Sequence, residues 1–241
     1  MKGAVAVEKY ILGGYLLVKP LCPEGDNLWL SNNVISASNC VCDVLPGTHF
    51  IETLKSEWLE EHLKTISGLN DHEYFSLEQW VIEKFNDNLF SWPGFFTEMW
   101  SAKECRERYF SKVDDLYLLA LGLPEREVEL FINEAPSAHC LLASTLQKKI
   151  YMNNDDIIGF ELLGAGWQDF HSHSCHGLQT EFSRELGIIP NEYGLLRCHD
   201  DAYKAMQYVE ELPDEKDVEE GLWQPWVIGL IDRYHNDTNN S

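Results

Sequence analysis

The chain has 241 residues, 44% apolar and 12% aromatic, and its 40 acidic against 18 basic side chains give a formal net charge of −22. That apolar content suffices for a sizeable core and excludes a largely disordered chain. The charge argues against surfaces built to hold nucleic-acid phosphates or anionic membranes, and it steers basic partners toward the protein.

A negative surface that only keeps the protein soluble is the plain alternative. Seven cysteines, an odd number without regular spacing, fit thiols in a reducing compartment and point to the cytoplasm. Glu8 and Lys9 interrupt the apolar stretch that a secretory signal would need. No segment approaches the roughly 20 apolar residues that span a bilayer.

The pattern predicts an α+β fold: a mostly helical single domain over 1–235 with a small β component, and a flexible tail over 236–241. Within it, 1–50 reads as β-rich, 51–135 as helical and 136–235 as mixed. Residues 10–18 are rich in β-branched and aromatic side chains, and 28–30 with Val34 and Ile35 flank the turn-prone Ser31, Asn32 and Asn33. From Leu54 the period turns helical, through Trp58, Leu63 and Ile66, until Gly68 closes the run. Ser76 with Gln79, and Ser101 with Glu104, have capping-box spacing and open a second and a third helix. The third carries Trp100 and Cys105 at hydrophobic-staple positions and runs to about Phe110.

Residues 114–121 read as a short helix stopped by Gly122. Pro124 then starts another, with Val128, Phe131, Ile132 and Ala135 on one side. Beyond Pro136, residues 150–152 and 157–163 suit buried strands separated by a turn at Asn153 and Asn154, and 164–166 turn the chain into a helix. Leu178, Phe182 and Leu186 before Gly187, and residues 200–212 before Pro213, give two more helices; 222–230 returns as a strand. The sequence shows no internal repeat.

The densest reactive cluster is 169–176, with Cys198 and His199 further on. On a strand, His171, His173 and Cys175 would share a face; on a helix, His171 and Cys175 would be neighbours. Either arrangement could gather zinc ligands from His171, His173, Cys175 and His176 and make a metal-dependent hydrolase. The spacing matches no standard zinc module and has no C-x-x-C pair, so structural contacts are the preferred reading and no cofactor is expected. Cys175 as a nucleophile, with a histidine base oriented by Asp169 or Asp200, needs an electropositive setting that this acidic chain opposes. Cys40 and Cys42, one residue apart, read as small buried thiols rather than a redox pair. Gly13-Gly14 and Gly164-Ala165-Gly166 lack the rest of either phosphate-binding motif. The acid pairs Glu60-Glu61, Asp114-Asp115 and Asp155-Asp156 read as solvated helix ends. No catalytic residue is assigned.

One acidic run exceeds what helix capping needs: Asp200, Asp201, Glu210, Glu211, Asp214, Glu215 and Asp217, then Glu219 and Glu220, with only Lys204 and Lys216 among them. A solvated face is the plain reading. The sharper one is a docking surface for a basic protein, formed by the first seven of these acids and made adhesive by Tyr203, Tyr208, Trp223 and Trp226.

Over the last third, the wording Ile157-Ile158-Gly159-Phe160-Glu161-Leu162-Leu163-Gly164, Asp169-Phe170-His171-Ser172, Cys175-His176-Gly177-Leu178 and Asn191-Glu192-Tyr193-Gly194-Leu195-Leu196 resembles bacterial polymorphic-toxin immunity proteins. The resemblance implies a protein that binds a cognate toxin and blocks its active site without chemistry of its own. It implies no particular fold and transfers no individual residue. The alternatives from other classes are the metal-dependent hydrolase and a non-catalytic scaffold protein.

Overall fold

The computed structural model describes residues 8–20, 34–47, 57–91, 93–167, 170–175, 177–212, 218 and 220–235. Six strands, β1 (Tyr10–Pro20), β2 (Cys42–Leu45), β3 (Leu116–Pro124), β4 (Ile157–Ala165), β5 (Phe170–Ser172) and β6 (Leu222–Tyr234), join in one antiparallel sheet. Its order is β2-β1-β3-β6-β4-β5, and it curls into a half-barrel. Seven α-helices lie among the described residues: α1 (Glu57–Ser67), α2 (Asp71–Asn86), α3 (Met99–Tyr109), α4 (Val128–Glu134), α5 (Cys140–Gln147), α6 (Leu178–Leu186) and α7 (His199–Glu210).

The expectation of a mostly helical fold with a small β component is overturned, because four of the strands run nine residues or more and form the framework. The decisive error falls at 114–121, where the expected helix is β3. Every residue of β3 is buried, since β1 and β6 flank it and both sheet faces are covered. A strand buried on both faces shows no alternation, so its apolar run carries no period that separates it from a buried helix.

Alternation returns when the faces are traced in space. Leu16, Val18, Leu119, Leu121, Leu163, Trp226 and Ile228 point to the inner face. There they are covered by Phe131 of α4, by Leu142 and Leu146 of α5, and by Val34, Ile35 and Ala37 of a strap over 34–41. On the outer face, Leu17, Leu116 and Leu118 pack under Leu77, Trp80, Ala102 and Cys105 of α2 and α3. Phe160, Leu162 and Val227 pack under Leu178, Phe182, Ala202 and Ala205 of α6 and α7.

These two outer layers share one arrangement of strands and turns, although the sequence carries no repeat at a fixed period. Tyr15 opposes Ala120 and Phe160 opposes Val227, so β1 corresponds to β4 and β3 to β6. Across the centre, Ala120 pairs with Gly229 and Gly122 with Val227, while Leu121 pairs with Ile228. A pseudo-two-fold axis therefore passes through the Leu121–Ile228 pair. Both outer strands carry a register shift at the same place, between Leu12 and Gly14 and between Ile157 and Gly159.

The connections match as well. A turn at Ser91 to Phe96 exchanges two backbone bonds between Phe96 and Tyr15, both 2.8 Å; a turn at Asn191 to Leu196 does the same between Leu196 and Phe160, at 2.8 and 2.9 Å. Gly94 and Gly194 hold the left-handed conformation of each turn (φ +86° and +76°). Gly14 and Gly159 are the points of closest approach: a Cβ on either would meet the Phe96 or Leu196 carbonyl oxygen at 3.0 Å. Then α3 follows the first turn and α7 the second.

Local expectations divide in the same way. The helix closed by Gly68, the one closed by Gly187, the helix after Asp200 and the strand from Leu222 are all present. The capping boxes at Ser76 and Ser101 are not. α2 has its N-cap at Asn70 rather than Ser76: Asn70 and Glu73 make the reciprocal box, and Ser76 instead contacts the Tyr109 hydroxyl at 3.2 Å. Ser101 is buried inside α3, and Trp100, expected to staple onto Cys105, is 52% exposed. Residues 150–152 contribute only an isolated bridge from Tyr151 to Ile11, and 164–166 lead into the hairpin strand β5 rather than directly into a helix. Leu54, residues 28–33 and the tail over 236–241 lie outside the described residues.

Candidate functional site

The pseudo-symmetry locates the place where the halves differ in chemistry. Strand register equates Leu16 with Glu161, Val44 with Ser172 and, one residue on, Leu45 with His173. Three apolar positions of the first half are thus polar in the second, and all three polar side chains are buried.

Glu161 points to the inner face beneath the strap. It accepts hydrogen bonds from the Ser36 hydroxyl, from the Ala37 N–H at 2.9 Å and from the Ser172 hydroxyl at 2.6 Å. Burial pushes its carboxyl above the usual range, while Ser172, Ser36 and the Ala37 N–H pull it back. The network continues outward. Ser38 N–H donates to Ser36 Oγ at 3.0 Å, Ser38 Oγ contacts Cys175 Sγ at 3.4 Å, and Ser172 N–H reaches Cys175 Sγ at 3.3 Å. Ile35 N–H adds a bond to the Tyr193 carbonyl at 3.1 Å. The strap, which leads into β2 at one edge of the sheet, is therefore fastened to the opposite half.

His173 lies on the other face, stacked on Phe182 at a 5.6 Å centroid distance. Its Nδ1 stands 3.3 Å from the Leu162 carbonyl, which can only accept, so Nδ1 carries the proton. Burial pushes its pKa down to about 4, against the opposing pull of that carbonyl. His173 is thus neutral at physiological pH. The Cys175 thiol is held well above its usual pKa, first by its hydrogen bond with Cys40 and then by burial. Cys175 meets the strap on one face of the sheet and His173 stacks on Phe182 on the other, so this histidine is not placed to take the Cys175 proton.

The candidate ligands are accordingly dispersed. His171 and His173 face the outer side of the sheet and Cys175 the strap, while His176 and Asp169 lie outside the described residues. Among the described residues no group of three His, Cys, Asp or Glu side chains could hold a metal ion.

On the acidic surface, α7 buries Ala202, Ala205, Met206 and Val209, which turns Asp200, Tyr203, Lys204, Gln207 and Glu210 outward. Asp200 and Glu210 stand about 15 Å apart along the axis, so Asp200 and Asp201 mark one end of a stripe and Glu210 and Glu211 the other. Asp214, Glu215 and Asp217 lie outside the described residues. The aromatics expected beside them divide: Trp226 is wholly buried against Phe131 and Phe170, and Trp223 packs over Gly164. Tyr208 donates to Glu181 at 3.2 Å, and Tyr203 stays exposed between the stacked His199 ring and the Arg126 guanidinium. Arg126 also donates to the His199 ring at 2.7 Å. Burial, and secondly this guanidinium, lower the His199 pKa. Elsewhere, Trp167 is 77% exposed and borders a groove of about 330 Å³ with Phe85, Phe90 and Leu141.

Sequence reasoning missed Glu161, Ser36, Ser38 and Ser172. The one available signal was a lone acid inside the apolar run 157–163, where a strand buried on both faces leaves a carboxylate no route to water. No helix among the described residues is long and apolar enough to cross a membrane. Compared with protein-family models, curated proteins and solved structures, the chain finds no match.

Proposed function

We propose that the chain is a non-catalytic, immunity-type inhibitor that docks on a basic toxin domain and is steered there by its charge. The observation that carries this reading is the outward stripe of α7, acidic at both ends and with Tyr203 exposed between them, on a chain of net charge −22. Complementary charge of this size raises encounter rates with a basic partner and confers salt dependence. The commitment of Glu161 and His173 to internal contacts supports the same reading, since each serves packing or the strap rather than an open reaction site. Residence in the cytoplasm goes with it, because the six described cysteines are thiols.

The test is capture on the tagged full chain from the cells that produce it, at low and high salt. The captured protein is then expressed alone and together with this chain. The reading expects a basic protein in stoichiometric amount, released by salt, that arrests growth alone and is silenced by co-expression. A captured partner that stays toxic in the presence of the chain, or one that is acidic and insensitive to salt, contradicts it. Trp167→Ala run in parallel shows whether the groove, rather than α7, supplies the anchor.

A further inference from the structure

We propose that Cys40 and Cys175 form a reversible redox couple: a disulfide closed by a hydroperoxide and reopened by a low-molecular-weight thiol such as glutathione. Cys40 stands in the turn that ends the strap, Cys175 in the turn after β5, and the strands beside these turns are the two opposite edges of the sheet. The curl of the sheet brings the turns together. The two cysteines meet at Ser38, whose Oγ contacts Cys175 Sγ at 3.4 Å and accepts from the Cys40 N–H at 3.3 Å.

Each turn is held in place. Glu161 fastens Ser36 and Ala37 just before Ser38, and the Cys175 N–H donates to the Ser172 carbonyl at 2.9 Å. A disulfide needs Cβ atoms about 3.5–4.5 Å apart, and two cysteines gathered at one serine oxygen on anchored turns are placed to reach that arrangement. Cys42, the neighbour in sequence, is the wrong partner: it is fully buried and gives its S–H to the Val34 carbonyl at 3.4 Å. Cys40, expected to be buried like it, is exposed.

Access divides the roles. Exposed Cys40 attacks the peroxide first: its sulfur bonds one oxygen, the O–O bond breaks, and the departing hydroxide takes a proton and leaves as water. The half-buried Cys175 sulfur then attacks the Cys40 sulfenic acid. The S–S bond forms, the S–O bond breaks, and the hydroxide released takes the Cys175 proton to become a second water. Two thiols lose two electrons in all and one hydrogen peroxide becomes two waters. Two glutathione thiols reverse the step by exchange, leaving oxidised glutathione. The bond would tie the strap to the β5 turn and restrict the unfolded chain across a long loop.

The full chain is equilibrated in glutathione buffers or with hydrogen peroxide, acid-quenched, and examined by intact mass and trypsin mapping. Cys175 is the only cysteine between Lys149 and Arg184, so its peptide reports unambiguously. The expected result is the loss of two hydrogens, a cross-link from that peptide to the one holding Cys40, and a melting temperature raised by several degrees. The cross-link should vanish in Cys40→Ser and survive in Cys42→Ser. Because Cys40 is exposed, its variant tests the pairing even if Cys175→Ser folds poorly. Absence of the cross-link at every glutathione ratio, or its persistence in Cys40→Ser, overturns the proposal.

Discussion

The two halves of the sheet hold the same backbone over different interiors. The first fills its core positions with Leu16, Val44 and Leu45; the second places Glu161, Ser172 and His173 there and builds the same strand pair, turn and helix around them. The comparison teaches that the scaffold does not require the polar groups. They are explained by what they hold: Glu161 and Ser172 receive the strap that the first half sends across, and His173 fills the space under α6. Buried polar groups persist when their partners are supplied, and the strap supplies those of Glu161.

The largest effect should come from making the first half resemble the second. Leu16→Glu places an acid on the inner face with no strap donors, and an unpaired buried charge costs about 3–5 kcal/mol. Urea denaturation followed by circular dichroism should show most of the stability gone. The reverse exchange, Glu161→Leu, leaves two hydroxyls and the Ala37 N–H without their acceptor. At roughly 1–3 kcal/mol for each unsatisfied group, less the relief of burying no acid, a net loss of about 3 kcal/mol is expected. Faster amide exchange over 34–41 should accompany it; unchanged exchange there would show that Glu161 is not the tether.

Glu161→Gln keeps an acceptor and isolates the charge. Because the folded pKa of Glu161 is raised, its contribution is fully present below the unfolded value near 4.5 and is lost as pH rises through the folded pKa. The Gln variant should therefore gain on the parent as pH rises through that window.

His173 has the opposite sign. Its pKa falls from 6.5 unfolded to about 4 folded, so the unfolded chain binds the proton first and stability drains as pH falls between those values. A shift of this size corresponds to about 3 kcal/mol. His173→Leu, which copies Leu45, should flatten that acid limb in melts taken across the range, and an unchanged limb would place the titrating group elsewhere.

Smaller again, Gly94→Ala and Gly194→Ala force a side chain into the left-handed region, at about 1–2 kcal/mol each. Each Cβ would also press on a valine, Val44 at 3.1 Å and Val34 at 3.0 Å. Similar losses in the two variants sharpen the equivalence of the turns. A large loss in one alone breaks it.

How much of this the sequence disclosed depends on the range of the signal. Helices closed by Gly68 and Gly187 and the amphipathic α7 were legible because caps and a one-sided apolar stripe are local. β3 was not, since full burial erased its period. The helix starts at Ser76 and Ser101 were misplaced because the capping-box pattern recurs inside helices, and only the backbone shows that Asn70 holds the real one. The pseudo-symmetry of the halves leaves no fixed period in the sequence: Gly14 precedes Gly94 by 80 positions but Gly159 precedes Gly194 by 35. In sequence the polar site presents itself as a histidine–cysteine cluster, because those residues adjoin. Its organising group is Glu161, whose strap partners lie more than 120 positions away.

The smallest expected effect on stability is the most informative for function. Replacing Asp200, Asp201, Glu210 and Glu211 by Lys on the outward stripe of α7 should leave the fold intact and change only association. The measurement that tests the account most directly is the association rate of the chain with its captured basic partner, as parent and as this fourfold variant, across a range of salt. The account predicts a parent rate that falls steeply with salt and a variant that is at least tenfold slower at low salt and converges on the parent at high salt. Equal rates at every salt concentration, with growth protection intact, would contradict docking through this surface.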